Sequence, residues 1–231
     1  MKYSKTESSA FPLVEITLGK GEEIRLERGA MVYHNGEVNL EGKMNSNGGS
    51  GLGGALKALG RSMVSGEGFF ITTATGLTDN AVIGIAPGTP GTIKEIEVGA
   101  TQWRINDGAF LACESSVGYD LKMQSVGKAI FGGTGGLFVM ETSGQGKMLI
   151  NAYGDILEFD LAGDEPFIVD NTHVVAWTAS LNYDIRVASG TFGFKTGEGL
   201  VNEFKGQGKV YVQTRNVESL ANMIAPFVPK G

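Results

Sequence analysis

The chain has 231 residues, a single cysteine, a net charge of −6 and a pI near 5.0. One cysteine excludes an internal disulfide and a cysteine-rich zinc site, and the acidic balance disfavours nucleic acid, whose phosphates need clustered Lys and Arg. The 36 Gly against 6 Pro lie among apolar runs without a collagen period, which points to many tight turns and an all-β (mainly) fold.

The polar start, Met1 to Glu7, has no secretory pattern, and no apolar stretch reaches the roughly 18 residues that span a bilayer, so the expected location is cytoplasmic. Val14-Glu15-Ile16-Thr17-Leu18 and Glu23-Ile24-Arg25-Leu26-Glu27 alternate apolar and polar residues as half-buried strands do. Met31-Val32-Tyr33 extends, Asn35-Gly36 signals a hairpin, and Val38 to Glu41 continues a meander of short strands. A Gly-rich segment from Asn45 leads into a possible short helix with Leu52, Leu56, Leu59 and Met63 on one face. Phe69 to Thr73 and Ala81 to Ile85 are expected to form a second hairpin. The tail, 218–231, begins as a helical turn before its prolines break it.

From Gly99 the pattern restarts, and it restarts again near Gly163, so the chain is expected to be one domain of three repeats, 11–98, 99–162 and 163–217. Gly29, Gly108 and Asn171 align as turn residues that tolerate positive φ. Val38, Tyr119 and Tyr183 align at the start of the next strand, and Gly144-Gln145-Gly146-Lys147 returns as Gly206-Gln207-Gly208-Lys209, read as hairpin turns with solvent-facing lysines. Units too small to close their own cores are expected to pack around a pseudo-threefold axis, joined by short helical connectors, with no repeated polar site.

Glu27-Arg28-Gly29-Ala30-Met31-Val32-Tyr33, Gly66-Glu67-Gly68-Phe69-Phe70, Ile85-Ala86-Pro87-Gly88, Gly197-Glu198-Gly199-Leu200-Val201 and Val210 to Arg215 occur in an order that resembles a TRAP-like β-fold family. That family is named from the tryptophan RNA-binding attenuation protein, and one branch is called a mitochondrial biogenesis protein. The resemblance implies a TRAP-like β-sandwich, mitochondrial inner-membrane organisation in one branch, and RNA binding in the distant namesake. The acidic charge argues against the last.

The two Gly-Gln-Gly-Lys strings fall short of a phosphate loop, which needs an earlier Gly and a following Ser or Thr where this chain has Glu141 and Met148, or Glu203 and Val210. Gly49 to Gly54 matches a dinucleotide pattern but lacks a βαβ unit around it. His34 and His173 are not repeat mates: His173 aligns with Met31 and Phe110, His34 with Cys113 and Ala176. Cys113 has no base near it in sequence and reads as a small buried hydrophobe.

No catalytic group, cofactor site or metal site is assigned, and the chain reads as a non-catalytic binding or scaffold protein that forms a homo-oligomer. An alternative is a small molecule bound between repeats, with Asp170, His173 and Trp177 as ligand candidates. A third reading uses the connectors as one apolar surface for a protein partner or a membrane, carried by Leu52, Leu56, Leu59, Met63, Ile130, Phe131, Phe192 and Phe194.

Overall fold

The computed structural model describes residues 1–7, 10–43, 71–106, 108–124, 138–188 and 199–229. The connector residues Leu52, Leu56, Leu59, Met63, Ile130, Phe131, Phe192 and Phe194 lie outside the described residues, as does the dinucleotide-like Gly run.

Strand β1 (Lys2–Lys5) precedes three runs of six. The first run is β2 (Val14–Leu18), β3 (Glu23–Glu27), β4 (Met31–His34), β5 (Val38–Lys43), β6 (Ile71–Gly76) and β7 (Ala81–Ile85). The second is β8 (Gly91–Val98), β9 (Trp103–Asn106), β10 (Phe110–Glu114), β11 (Val117–Met123), β12 (Phe138–Gly144) and β13 (Gly146–Tyr153). The third is β14 (Ile156–Leu161), β15 (Phe167–Asp170), β16 (Val174–Thr178), β17 (Asn182–Val187), β18 (Leu200–Lys205) and β19 (Gly208–Gln213), after which α1 (Val217–Ile224) forms the expected helical turn.

Among the described residues these strands make four sheets with antiparallel ladders. The first runs β1-β2-β7-β4, the second β5-β6-β3-β10-β13-β8, the third β11-β12-β9-β16-β19-β14 and the fourth β15-β18-β17. Three apolar clusters hold them face to face. Ile16, Ile83 and Leu149 belong to the cluster between the first and second sheets, Phe110, Met148 and Ile105 to that between the second and third, and Trp177, Val210 and Phe204 to that between the third and fourth.

Burial follows this stack. β2, in an outer sheet, alternates buried and half-buried residues, whereas β13 and β16, in sheets covered on both faces, carry continuous buried runs. The all-β expectation holds, but the meander does not. Except for β1–β2, β5–β6, β11–β12 and β17–β18, every pair of consecutive strands lies in different sheets. Asn35-Gly36, the link from β6 to β7, and both Gly-Gln-Gly-Lys strings are therefore corners that carry the chain from one sheet to the facing one, not hairpins. A corner and a hairpin place the same alternation on either side of the same glycines, so local pattern does not distinguish them.

The ladders also correct the alignment of the units. β4 has a bulge between Met31 and Tyr33, β10 between Phe110 and Ala112, and β16 between Val174 and Ala176, at one place relative to β7, β13 and β19. Val174, not His173, therefore stands opposite Met31 and Phe110; His173 stands opposite Ala30 and Ala109, and His34 opposite Cys113 and Trp177. Gly29 and Gly108 have φ of 81° and 76°, but among the described residues no non-glycine residue has positive φ, so the Asn171 turn does not share their geometry. There the Asp170 carboxylate accepts the Thr172 N–H at 2.8 Å and caps a 3-10 turn over Asn171–His173.

In the next strand the residue opposite Tyr119 and Tyr183 is Leu40, two places beyond the expected Val38. A shift of two keeps every side chain on its face, which is why the pattern concealed it.

Candidate functional site

The strand ends at the corners place polar groups at matching positions. The N–H groups of Val82, Lys147 and Lys209 donate to Asn35 Oδ1, Glu114 Oε2 and Thr178 Oγ1 at 3.2, 2.8 and 3.2 Å. Arg25 and Arg104, at one ladder position, each donate to a carbonyl of the next sheet, Val117 and Leu181, and lie over Tyr119 and Tyr183. The lysines of the Gly-Gln-Gly-Lys strings are half-exposed and ion-paired: Lys147 Nζ is 3.1 Å from Glu95, and Lys209 Nζ is 2.5 Å from Glu158 and 2.7 Å from Asp160. Two of the three runs thus share a polar pair, contrary to the expected absence of a repeated polar site.

Between the second and third sheets Lys209, its partners Glu158 and Asp160, and Thr178 help to line a groove of ≈ 890 Å³. Its walls are the outer edge of β8 and the strands β14, β16 and β19. Trp103 stacks on Tyr211 at 5.3 Å along its floor, and Lys94 Nζ sits 5.0 Å above the Tyr211 ring while pairing with Glu158 at 3.0 Å. Glu158 and Asp160 face two ammonium groups, Lys94 and Lys209, while Glu95 and Glu97 border the groove along the edge of β8, their side chains on the opposite face of that strand from Lys94 and Ile96.

Hydrogen bonds from Lys209 and then Lys94 hold the Glu158 carboxyl below its ordinary range, against the desolvation that raises it. A lowered folded pKa means the stabilisation is complete above the unfolded value of about 4.3 and is lost as pH falls through the folded value. Glu158→Gln is therefore expected to be less stable than the parent at pH 7, modestly because the pair is partly exposed, and to converge with it below pH 4. Denaturant midpoints across that range test this; a gap that stays constant or widens in acid contradicts it.

The three ligand candidates do not form a site. Trp177 is fully buried against Tyr183 and Phe204, with ring centroids 4.9 and 5.5 Å away. Asp170 is occupied in its cap. His173 Nδ1 lies 2.7 Å from the Gln213 carbonyl oxygen and so carries the proton, leaving Nε2 to accept from Asn216 Nδ2 at 2.8 Å. Asn216 Oδ1 in turn accepts the Ser219 N–H at 2.7 Å and caps α1, so His173 anchors the C-terminal helix. Both ring nitrogens are committed, which removes His173 as a base or metal ligand in this arrangement.

His34 is exposed, and its Nδ1 accepts the Gly36 N–H at 3.1 Å. Cys113 is fully buried, and desolvation pushes its thiol up to about 12, so it is a protonated core residue as read from sequence.

The groove escaped sequence reasoning because its walls come from residues 94 to 211. A signal was present in the recurrence of an acidic residue in β8 and β14 with a Lys opening β13 and β19.

The family model described as mitochondrial biogenesis AIM24 matches residues 3–215. The chain belongs to the AIM24 family. A relative from Streptococcus pyogenes serotype M6, described as an uncharacterized protein, is 46% identical over 230 residues, covering 99% of this chain and 92% of that protein. An X-ray crystal structure of a Streptococcus pyogenes protein shares 41% identity and a TM-score of 0.81, covering 98% of this chain and 99% of that one. Like this AIM24-family chain, the family model spans all three runs of strands. No helix among the described residues is long and apolar enough to cross a membrane.

Proposed function

We propose that this AIM24-family protein is a non-catalytic binding or scaffold module of three homologous units, 14–85, 91–153 and 156–213, that self-associates head to tail. The observation that carries the reading is the exposure of β4. All four of its residues, Met31 to His34, are exposed, with Val32 at 55%, whereas β16 at the same ladder position is buried throughout and β10 nearly so. Within the chain one joint is used twice, β3 to β10 and β9 to β16. Among the described residues its two halves recur unjoined as the outer edges of β4 in the first sheet and β15 in the fourth, where Ile168 is 50% exposed.

An apolar strand with an unpaired edge is a template for pairing with another chain. Transferring the internal register places Tyr33 of one copy opposite Val169 of the next, His34 opposite Ile168 and Asn35 opposite Phe167. The contact is heterologous, so copies form a closed ring or an open filament.

Native mass spectrometry of the full chain is expected to report an assembly that falls to monomer in Val32→Lys combined with Ile168→Lys, because lysine on an edge opposes strand addition. Circular dichroism is expected to be unchanged. A parent chain that stays monomeric at high micromolar concentration, or an assembly indifferent to both substitutions, removes the proposal.

A further inference from the structure

The groove between the second and third sheets occupies the place that β1 fills one step earlier in the stack. β1 adds to the outer edge of β2, with Tyr3 opposite Ile16 and Lys5 opposite Val14. From there it reaches the second sheet: the Tyr3 hydroxyl is directed at the Glu95 carboxylate, and Lys5 Nζ donates to the Ile93 carbonyl at 3.3 Å. The ladders make β8 the counterpart of β2, and Glu158 the counterpart of Glu95. Among the described residues no strand lies on the outer edge of β8, and Glu158 faces the groove beside it.

The edge is prepared for one. The Ile93 and Glu97 carbonyls point outward, since they accept from Lys5 and from Trp103 Nε1 at 2.9 Å. By antiparallel alternation the main-chain N–H and C=O of Glu95, midway between them, lie on the same open side. Lys147 and Asn151, which stand opposite Glu97 and Ile93 across the ladder, direct their own N–H groups away from β8, to Glu114 and Ala109.

From this juxtaposition we infer that the groove binds an extended peptide by strand addition to β8, and that the peptide has the chemistry of β1, an aromatic hydroxyl followed two residues later by a lysine or arginine. The guest runs antiparallel to β8, with its aromatic residue opposite Ile96, its hydroxyl directed at Glu158 and its ring beside the Trp103–Tyr211 stack. Its basic residue, by the same correspondence, is directed at the Ile156 carbonyl, the counterpart of the Ile93 carbonyl that accepts from Lys5. This site is separate from the β4 and β15 edges and does not depend on self-association.

The probe is a fluorescein-labelled peptide carrying residues 1–7 of this chain, titrated into the full-length protein and followed by polarisation. Saturable binding with a Kd on the order of 100 μM is expected, as suits a short peptide that must be ordered on binding. Ala100→Trp, which fills the exposed mouth of the groove, is expected to weaken binding at least tenfold. Asp160→Lys, an exposed reversal compatible with the fold, weakens it about threefold, and Tyr3→Ala within the peptide at least tenfold.

Thermal melts of both protein variants establish that they are folded. No saturation at millimolar peptide overturns the inference. So does undiminished binding to folded Ala100→Trp and Asp160→Lys, which places the peptide in the β1 slot or elsewhere, or equal binding when both peptide lysines are replaced by glutamate.

Discussion

Replacing Trp177 with alanine is expected to destabilise the protein by about 3–5 kcal/mol and to lower its melting midpoint by roughly 10 °C, the largest effect of any single side chain here. Trp177 has no exposed surface and is the largest residue of the cluster that holds the fourth sheet on the third. Its ring lies edge-on to Tyr183 and tilted against Phe204, both contributed by the fourth sheet. Among the described residues that sheet has three strands and is packed on one face only, with no second apolar cluster to compensate for the cavity. Trp177→Phe keeps an aromatic surface against both neighbours and is expected to cost less than half as much. Guanidinium titrations of the two variants test this, and a loss below about 1 kcal/mol for Trp177→Ala contradicts the packing account.

Substituting alanine for Gly144 is expected to cost about 2–4 kcal/mol, while the same change at Gly206, its equivalent in the second Gly-Gln-Gly-Lys string, costs about 1 kcal/mol. Both have positive φ, 72° and 104°. They differ in what surrounds them. A Cβ at Gly144 falls 2.5 Å from the Ser116 carbonyl oxygen, a backbone atom that the neighbouring strand holds in place. At Gly206 the nearest atom is Leu181 Cδ2 at 3.9 Å, so the backbone has room to relax toward the left-handed well. Paired denaturation curves decide the point: equal losses at the two positions exclude the steric cause and leave only the shared backbone strain.

The candidate groove was less legible than the fold. Lys147 and Lys209 are conspicuous in sequence because each follows Gly-Gln-Gly, but their partners Glu95 and Glu158 lie more than fifty residues earlier in otherwise ordinary alternating strands. Asp170, His173 and Trp177 stand close in sequence, and that proximity misleads. A 3-10 turn and a bulge send their side chains to a cap, a helix anchor and a core. The significance of β1 was hidden for another reason: Lys2–Lys5 is polar and short, and only its position beside β2 and against Glu95 identifies what kind of slot it fills.

The sequence by itself determined the strands and their punctuation. Alternation in Val14–Leu18, the continuous apolar runs of Phe110–Glu114 and Val174–Thr178, and glycines that admit positive φ at 29, 108, 144 and 206 are local properties, dictated by side-chain period and backbone sterics. Tertiary structure alone decided which sheet each strand joins. Gly144 to Lys147 serves a hairpin and a corner equally well, and the choice was made by Met148 and Ile150 packing against Ile105 and Tyr211 across the interface between sheets. Met31-Val32-Tyr33 illustrates the same division. Its apolar residues mark a strand suited to burial, but among the described residues no neighbouring sheet covers them at the end of the stack, and that position gives β4 the exposure on which self-association is proposed.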